Sequence, residues 1–185
     1  MKKPLIVVLS ILGIVVISII FLIFSCQRVS GGVAMKPTIN TDDKSYVFKL
    51  SYLFNQPTRG DIVVFKDTTG NQMIERVIGI SGDIIDIRSD GFVYINGRKL
   101  IELYIVESNK PQGYTYRLNP AEGVLIKYPY KILQNQIFLL GDNRSESKDS
   151  RIFGAIDLSK VIGKVFAVTA SSGENRNIDE KPYLQ

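Results

Sequence analysis

Residues 4–26 read PLIVVLSILGIVVISIIFLIFSC and carry no charge. A helix of about 20 apolar residues rises roughly 30 Å, the thickness of a bilayer's hydrocarbon core. It satisfies its own backbone hydrogen bonds, so it can sit where no water is available to do so. The segment therefore predicts one transmembrane helix. Lys2 and Lys3 precede it, and the bias of positive charge toward the cytoplasmic side puts residues 1–3 in the cytoplasm, 4–26 in the cell membrane and 27–185 outside, in a single-pass arrangement. Two rival readings stay open. A cleaved leader has a shorter apolar core, about 7–15 residues, and a small-residue cleavage site, and neither is found here. A lipidated Cys26 would follow Ile23-Phe24-Ser25, which only loosely matches the small-residue pattern such sites need, because Phe24 is bulky.

The 185 residues are 45% hydrophobic and 22% charged, which leaves room for one domain with its own core after the apolar segment. Cys26 is the one cysteine, so an internal disulfide is excluded. The formal charge is +5, with the basic residues interspersed among apolar ones. No basic run marks a nucleic-acid partner. Short stretches rich in β-branched and aromatic residues, bounded by turn formers, predict strands at 45–50, 61–65, 73–80, 83–88, 92–95 and 161–169. Asn96-Gly97 between FVYI and RKL has the composition of a type I′ hairpin turn. No amphipathic helical pattern of useful length follows the first segment, so the expected fold class is mainly β, in antiparallel sheets, behind one N-terminal transmembrane helix. Residues 105–122 read as an irregular excursion, and 171–185 as a polar tail that frays.

The chain has no histidine, which removes Ser-His-Asp and Cys-His hydrolysis and most zinc sites. A hydrolase on such a chain needs another base, and a lysine whose charged form is disfavoured by burial can serve. No metal or other cofactor is implied.

Four segments then carry a resemblance. Gly32-Val33-Ala34-Met35-Lys36-Pro37-Thr38 resembles the S-M-x-P-T box of bacterial type I signal peptidases, with Ala34 in the serine position. The stretch from Arg59 to Phe65 resembles their R-G-D-I-V-V-F strand, and that from Met73 to Asp83 resembles Y-V-K-R-V-I-G-L-P-G-D, with Glu75 in the lysine position, Arg76 retained and Ser81 in the proline position. The stretch from Gly141 to Gly154 matches G-D-N-R-x-x-S-x-D-S-R-x-F-G throughout, through Asp142, Asn143, Arg144, Ser147, Asp149, Ser150 and Arg151. Four boxes in family order are far more specific than any one of them.

The resemblance implies a Ser/Lys serine endopeptidase fold that removes signal peptides from secretory preproteins, in which the box serine attacks a carbonyl and the buried lysine is its base. Ala34 has no oxygen to attack with, and removing a protease nucleophile costs on the order of a millionfold in kcat. Ser30 lies four residues upstream, roughly 13 Å along an extended chain, too far to replace it. Lys36 shares Ala34's face in a strand but occupies the variable position of the box. The chain is therefore expected to be catalytically inactive and to bind or present translocated proteins. The family includes inactive members that assist sortase-built pili of Gram-positive bacteria, which suggests pilin-like surface proteins and sortase machinery as partners. The alternative is an active signal peptidase seen as an inactivated variant. For Glu75 the simpler reading is a solvated or arginine-paired carboxylate, the sharper one a buried acid with a raised pKa. In the family the residue matching Ser147 contacts the lysine and those matching Asp149 and Arg151 pair, so with the catalytic groups gone the box reads mainly as architecture. Tyr52, Leu53 and Phe54 read either as core or as a contact with membrane lipids, since family members work at the membrane surface.

Overall fold

The structure, a computed structural model, describes residues 3–67, 69–105, 110–115 and 126–185, and in the first helix the side chains of residues 7–18, 21 and 25. Lys2, and Asn109, Asn119 and Pro120 of the expected excursion, lie outside the described residues. Helix α1 runs Lys3–Ser25, and every side chain described along 7–18 is exposed. Among the described residues no helix is long and apolar enough to cross a membrane.

The rest is mainly β and antiparallel throughout. A seven-stranded sheet takes the order β1 (Cys26–Ser30), β2 (Lys44–Phe48), β11 (Val161–Thr169), β3 (Ile62–Lys66), β4 (Gln72–Gly79), β9 (Gln136–Leu140) and β10 (Ile156–Asp157). A five-stranded sheet takes the order β12 (Tyr183–Leu184), β7 (Arg98–Ile101), β6 (Val93–Ile95), β5 (Ile84–Ile87) and β8 (Tyr130–Lys131). One short helix, α2 (Ser150–Phe153), follows β9. All six predicted strands are present, and β11 matches its expected span residue for residue. Asn96 and Gly97 both have positive φ, 52° and 83°, which the two-residue turn between β6 and β7 requires.

The strands missed by sequence have physical explanations. β9, buried over Ile137–Leu140 like β3, ends in Leu139 and Leu140, which mark a strand less than the β-branched residues of β3 do. β1 is polar and is held by its five-residue ladder to β2. The tail does not fray: Arg176 forms an ion pair with Asp43, Pro182 is buried, and Tyr183 and Leu184 pair with Ile101 and Leu100. Specific partners override its polar composition.

Successive residues of a strand face opposite sides, and the large sheet uses both. Ile62 and Val64 join Met35, Ile39, Val47 and Val165 on one side, while Val63 and Phe65 join Val77, Ile137 and Leu139 on the other. A third cluster, with Ile78, Ile85, Ile95, Leu100 and Phe138, joins the two sheets. Between these apolar layers runs a fully buried ion pair. Arg76 donates through Nε to Asp142 Oδ1 at 2.9 Å and through Nη2 to Oδ2 at 2.7 Å, and neither side chain is exposed. Its Nη1 donates to the carbonyls of Gly60, 3.1 Å, and Glu180, 2.9 Å, and its guanidinium lies 4.0 Å from the Tyr104 ring centroid. Arg76→Leu is expected to cost about 3–5 kcal/mol by equilibrium unfolding, because Asp142 is left buried without a counter-charge. The Arg76→Leu, Asp142→Leu pair should recover part of that loss. A single-variant loss under about 1 kcal/mol would show that the pair does not hold the fold.

Candidate active site

The turn that follows β1 builds one wall of the site. Val33–Met35 forms a single 3-10 turn, Met35 is driven into the core below the sheet, and Thr38 Oγ1 donates to Asp142 Oδ2 at 2.5 Å. Pro37 is exposed beside it. Asn143 clamps the turn from outside, its N–H donating to the Ala34 carbonyl at 2.9 Å and its Nδ2 to the Val33 carbonyl at 3.0 Å. Gly141 is where backbone and side chain come closest. A Cβ there would lie 2.5 Å from the Ala34 carbonyl oxygen and would overlap Ser147 Oγ, so only glycine fits.

β4 supplies the other wall and sends neighbouring side chains to opposite faces. Arg76 turns to Asp142, and Glu75 turns to Ser147, whose Oγ donates to Glu75 Oε1 across a long 3.4 Å. Glu75 Oε2 has no hydrogen-bond partner among the described residues, and the side chain is fully buried. Burial, followed by the Asp149 charge, holds its carboxyl well above the usual carboxylate range, while Arg151 and the Ser147 hydroxyl pull it back only in part. The sharper of the two readings of Glu75 is thus the one the structure shows, because Arg151 is committed elsewhere. Its Nε and Nη2 each lie 2.8 Å from Asp149, and Asp149 also accepts from Gly141 N and caps α2 through Arg151 N. Ser150 Oγ accepts from Leu139 N at 2.9 Å.

Ala34, Gly141, Ser147 and Glu75 therefore form one continuous contact, and within it the Ser147 hydroxyl faces the Glu75 carboxyl. Residues 30–34 and 72–74, with Glu146 and Lys148 at the rim, line an open cleft of about 420 Å³, so Ser30 shares the cleft with Ala34. The β4 main chain is half free along this cleft. β3 pairs with it from Gln72 to Arg76, but β9 pairs with it from Arg76 onward. Among the described residues no group of three or more His, Cys, Asp or Glu is placed to hold a metal.

A family profile described as signal peptidase, peptidase S26, matches residues 1–170. The chain belongs to this signal peptidase family. It is 35% identical over 140 residues to a probable signal peptidase I-2 of Synechocystis sp., a match covering 72% of this chain and 57% of that protein. It is 33% identical over 155 residues to signal peptidase I of Bacillus licheniformis, covering 80% of this chain and 78% of the relative. The crystal structure of a signal peptidase I from Enterococcus faecalis V583 superposes with a TM-score of 0.50 at 32% identity, covering 60% of this chain and 97% of that one. The chain thus spans just over half the length of the Synechocystis relative.

Within the signal peptidase fold, some supports lay beyond sequence reasoning. Arg144 makes a fully buried pair with Glu102, 2.5 Å, and donates to Thr115 Oγ1 and to the Gly141 carbonyl. Tyr104 donates to the same Glu102 at 2.6 Å. Glu102, Tyr104 and Thr115 lie in or beside a stretch that reads as loop, and only contacts across the fold reveal them. The Tyr52, Leu53, Phe54 triplet divides: Tyr52 donates to Asp61 at 3.1 Å and packs on the core, while Leu53 and Phe54 are 61% and 90% exposed.

The raised Glu75 pKa fixes the sign of a pH effect. The folded state holds this proton where the unfolded chain would release it, so above the ordinary glutamate range the fold loses stability as pH rises toward the folded pKa. Glu75→Gln, which keeps the shape without an ionisable proton, is expected to match the parent's melting temperature at about pH 4 and to exceed it increasingly above. Thermal melts across that range check it, and a variant that falls progressively below the parent would reverse the sign.

Proposed function

We propose that this chain is a catalytically inactive, membrane-anchored member of the signal peptidase family that holds an extended segment of a translocated protein in its cleft. The carrying observation is that Ala34 offers no nucleophilic side-chain oxygen and that Glu75, where a base would be needed, is a fully buried carboxyl whose pKa burial and the Asp149 charge hold well above the usual carboxylate range. The edge at Gln72–Glu75, unpaired on one side among the described residues, suits an added strand, in which main-chain bonds hold the guest and alternate side chains enter pockets. The relatives are named signal peptidases, which supports secretory preproteins as the broad class of guest. Pilin-like surface proteins presented to sortase machinery are the narrower candidates, by analogy with inactive family members.

The same proposal places α1 in the membrane and residues 27–185 outside. Its apolar composition and the exposure of its described side chains support this. Lys49 N donates to the Ser25 carbonyl at the helix end at 2.9 Å, so the loop carrying Leu53 and Phe54 starts where α1 stops, and these side chains are set to enter the lipid interface.

Incubated with a secretory precursor in detergent, the chain should give no cleavage, whereas Ala34→Ser, Glu75→Lys should cleave it if the supporting network is intact. Cleavage by the unsubstituted chain would refute the inactive reading. The chain contains no tryptophan, so Phe54→Trp provides a single reporter. In vesicles carrying brominated lipid its fluorescence should be quenched while that of Tyr183→Trp is not, and equal quenching, or none, would remove the interfacial contact.

A further inference from the structure

Met73 and Lys148 border the cleft on one side. Both residues also line a second cavity of about 290 Å³, floored by Phe65, Phe153 and Ile156 and rimmed by Lys66, Lys148 and Lys160. The β3–β4 register sets the two side by side: Phe65 stands opposite Met73 and Lys66 opposite Gln72, at the end of the hairpin where the half-paired edge begins. Phe65 and Phe153 form a tilted ring pair with centroids 6.4 Å apart. None of the three lysines has an ion-pair partner among the described residues. The carboxylate on this cavity's lining, Asp67, is turned into its own loop, accepting from Thr69 N, Thr69 Oγ1 and Asn71 N. Glu146 lies on the rim of the first cleft. Three ammonium groups around an apolar floor, against one engaged carboxylate, are complementary to an apolar side chain with acidic neighbours.

We propose that this cavity is an extension of the guest-binding cleft that selects an extended peptide presenting one large apolar side chain flanked by carboxylates. This rests on the reading that the cleft holds an extended peptide. A peptide fits better than a lipid because the cavity adjoins, across Met73 and Lys148, the half-paired β4 edge where main-chain bonds are on offer. The apolar floor takes the large side chain, and the lysines, being solvent-accessible, contribute modest and salt-sensitive attraction.

The test uses the full chain in zwitterionic detergent and three fluorescein-labelled peptides of one length, each with a central phenylalanine flanked by two Glu, two Gln or two Lys, read by fluorescence anisotropy. The Glu-flanked peptide is expected to bind about fivefold more tightly than the Gln-flanked one at low salt, with the Lys-flanked peptide weakest and the ratio approaching one at about 1 M salt. The Glu-to-Gln ratio, measured within each variant, should collapse in Lys66→Gln, Lys148→Gln, Lys160→Gln and persist in a control, Lys44→Gln, Lys131→Gln. Lys148→Glu alone should shift preference toward the Lys-flanked peptide. Binding of the Gln-flanked peptide without any charge ranking, or a ranking that survives the triple variant, overturns the extension and leaves the cleft reading standing. Binding of no peptide overturns both. Association with phosphatidylglycerol vesicles that is lost in the triple variant, without peptide ranking, overturns the proposal in favour of an anionic lipid.

Discussion

The architecture depends on the buried pairing of Arg76 with Asp142. One guanidinium joins the central strand β4, the turn before β3 at Gly60, the box that follows β9, and the C-terminal tail at Glu180. Thr38 adds the turn that bears Ala34, through the same carboxylate. A charge taken this far from water is tolerated only when its hydrogen-bonding capacity is used, and here each polar nitrogen has an acceptor. Segments remote in sequence are thereby fixed around one point, and the cleft is a consequence of that convergence.

Glu75 shows what the neighbouring position does under the same packing. One residue along the strand, the side chain points into the opposite face, where Asp149 is near and Arg151 is already engaged. A carboxyl there meets desolvation and a like charge with little to offset either, so it retains its proton. The long contact from Ser147 and a second oxygen that has no hydrogen-bond partner among the described residues are what such a substitution leaves behind. The surrounding ion pairs, Asp149–Arg151 and Arg144–Glu102, hold the walls of the site.

Much of this was legible in the sequence because it rests on local pattern. β-branched and aromatic stretches between turn formers marked β2 to β6 and β11, Asn96-Gly97 marked the hairpin, and the boxes around Ala34, Glu75 and Asp142 marked the site. What escaped was whatever carries a weaker local signal or depends on partners distant along the chain. β9 ends in Leu139 and Leu140, which mark a strand less than β-branched or aromatic residues do. The tail is polar yet docked through Arg176 and Tyr183. Glu102 and Thr115 become informative only once Arg144 is seen between them. The raised pKa of Glu75 follows from its burial and from Arg151 being engaged by Asp149, neither of which residue order displays.

The account turns on a carboxylic acid that stays protonated inside the site, and infrared difference spectroscopy observes that proton directly. At about pH 6.5, where exposed glutamates are ionised, the spectrum of the parent minus Glu75→Gln should contain the carbonyl stretch of a neutral carboxylic acid in a dry environment. A difference spectrum showing only carboxylate bands would mean that Glu75 is charged, and the electrostatic description of this site would be wrong.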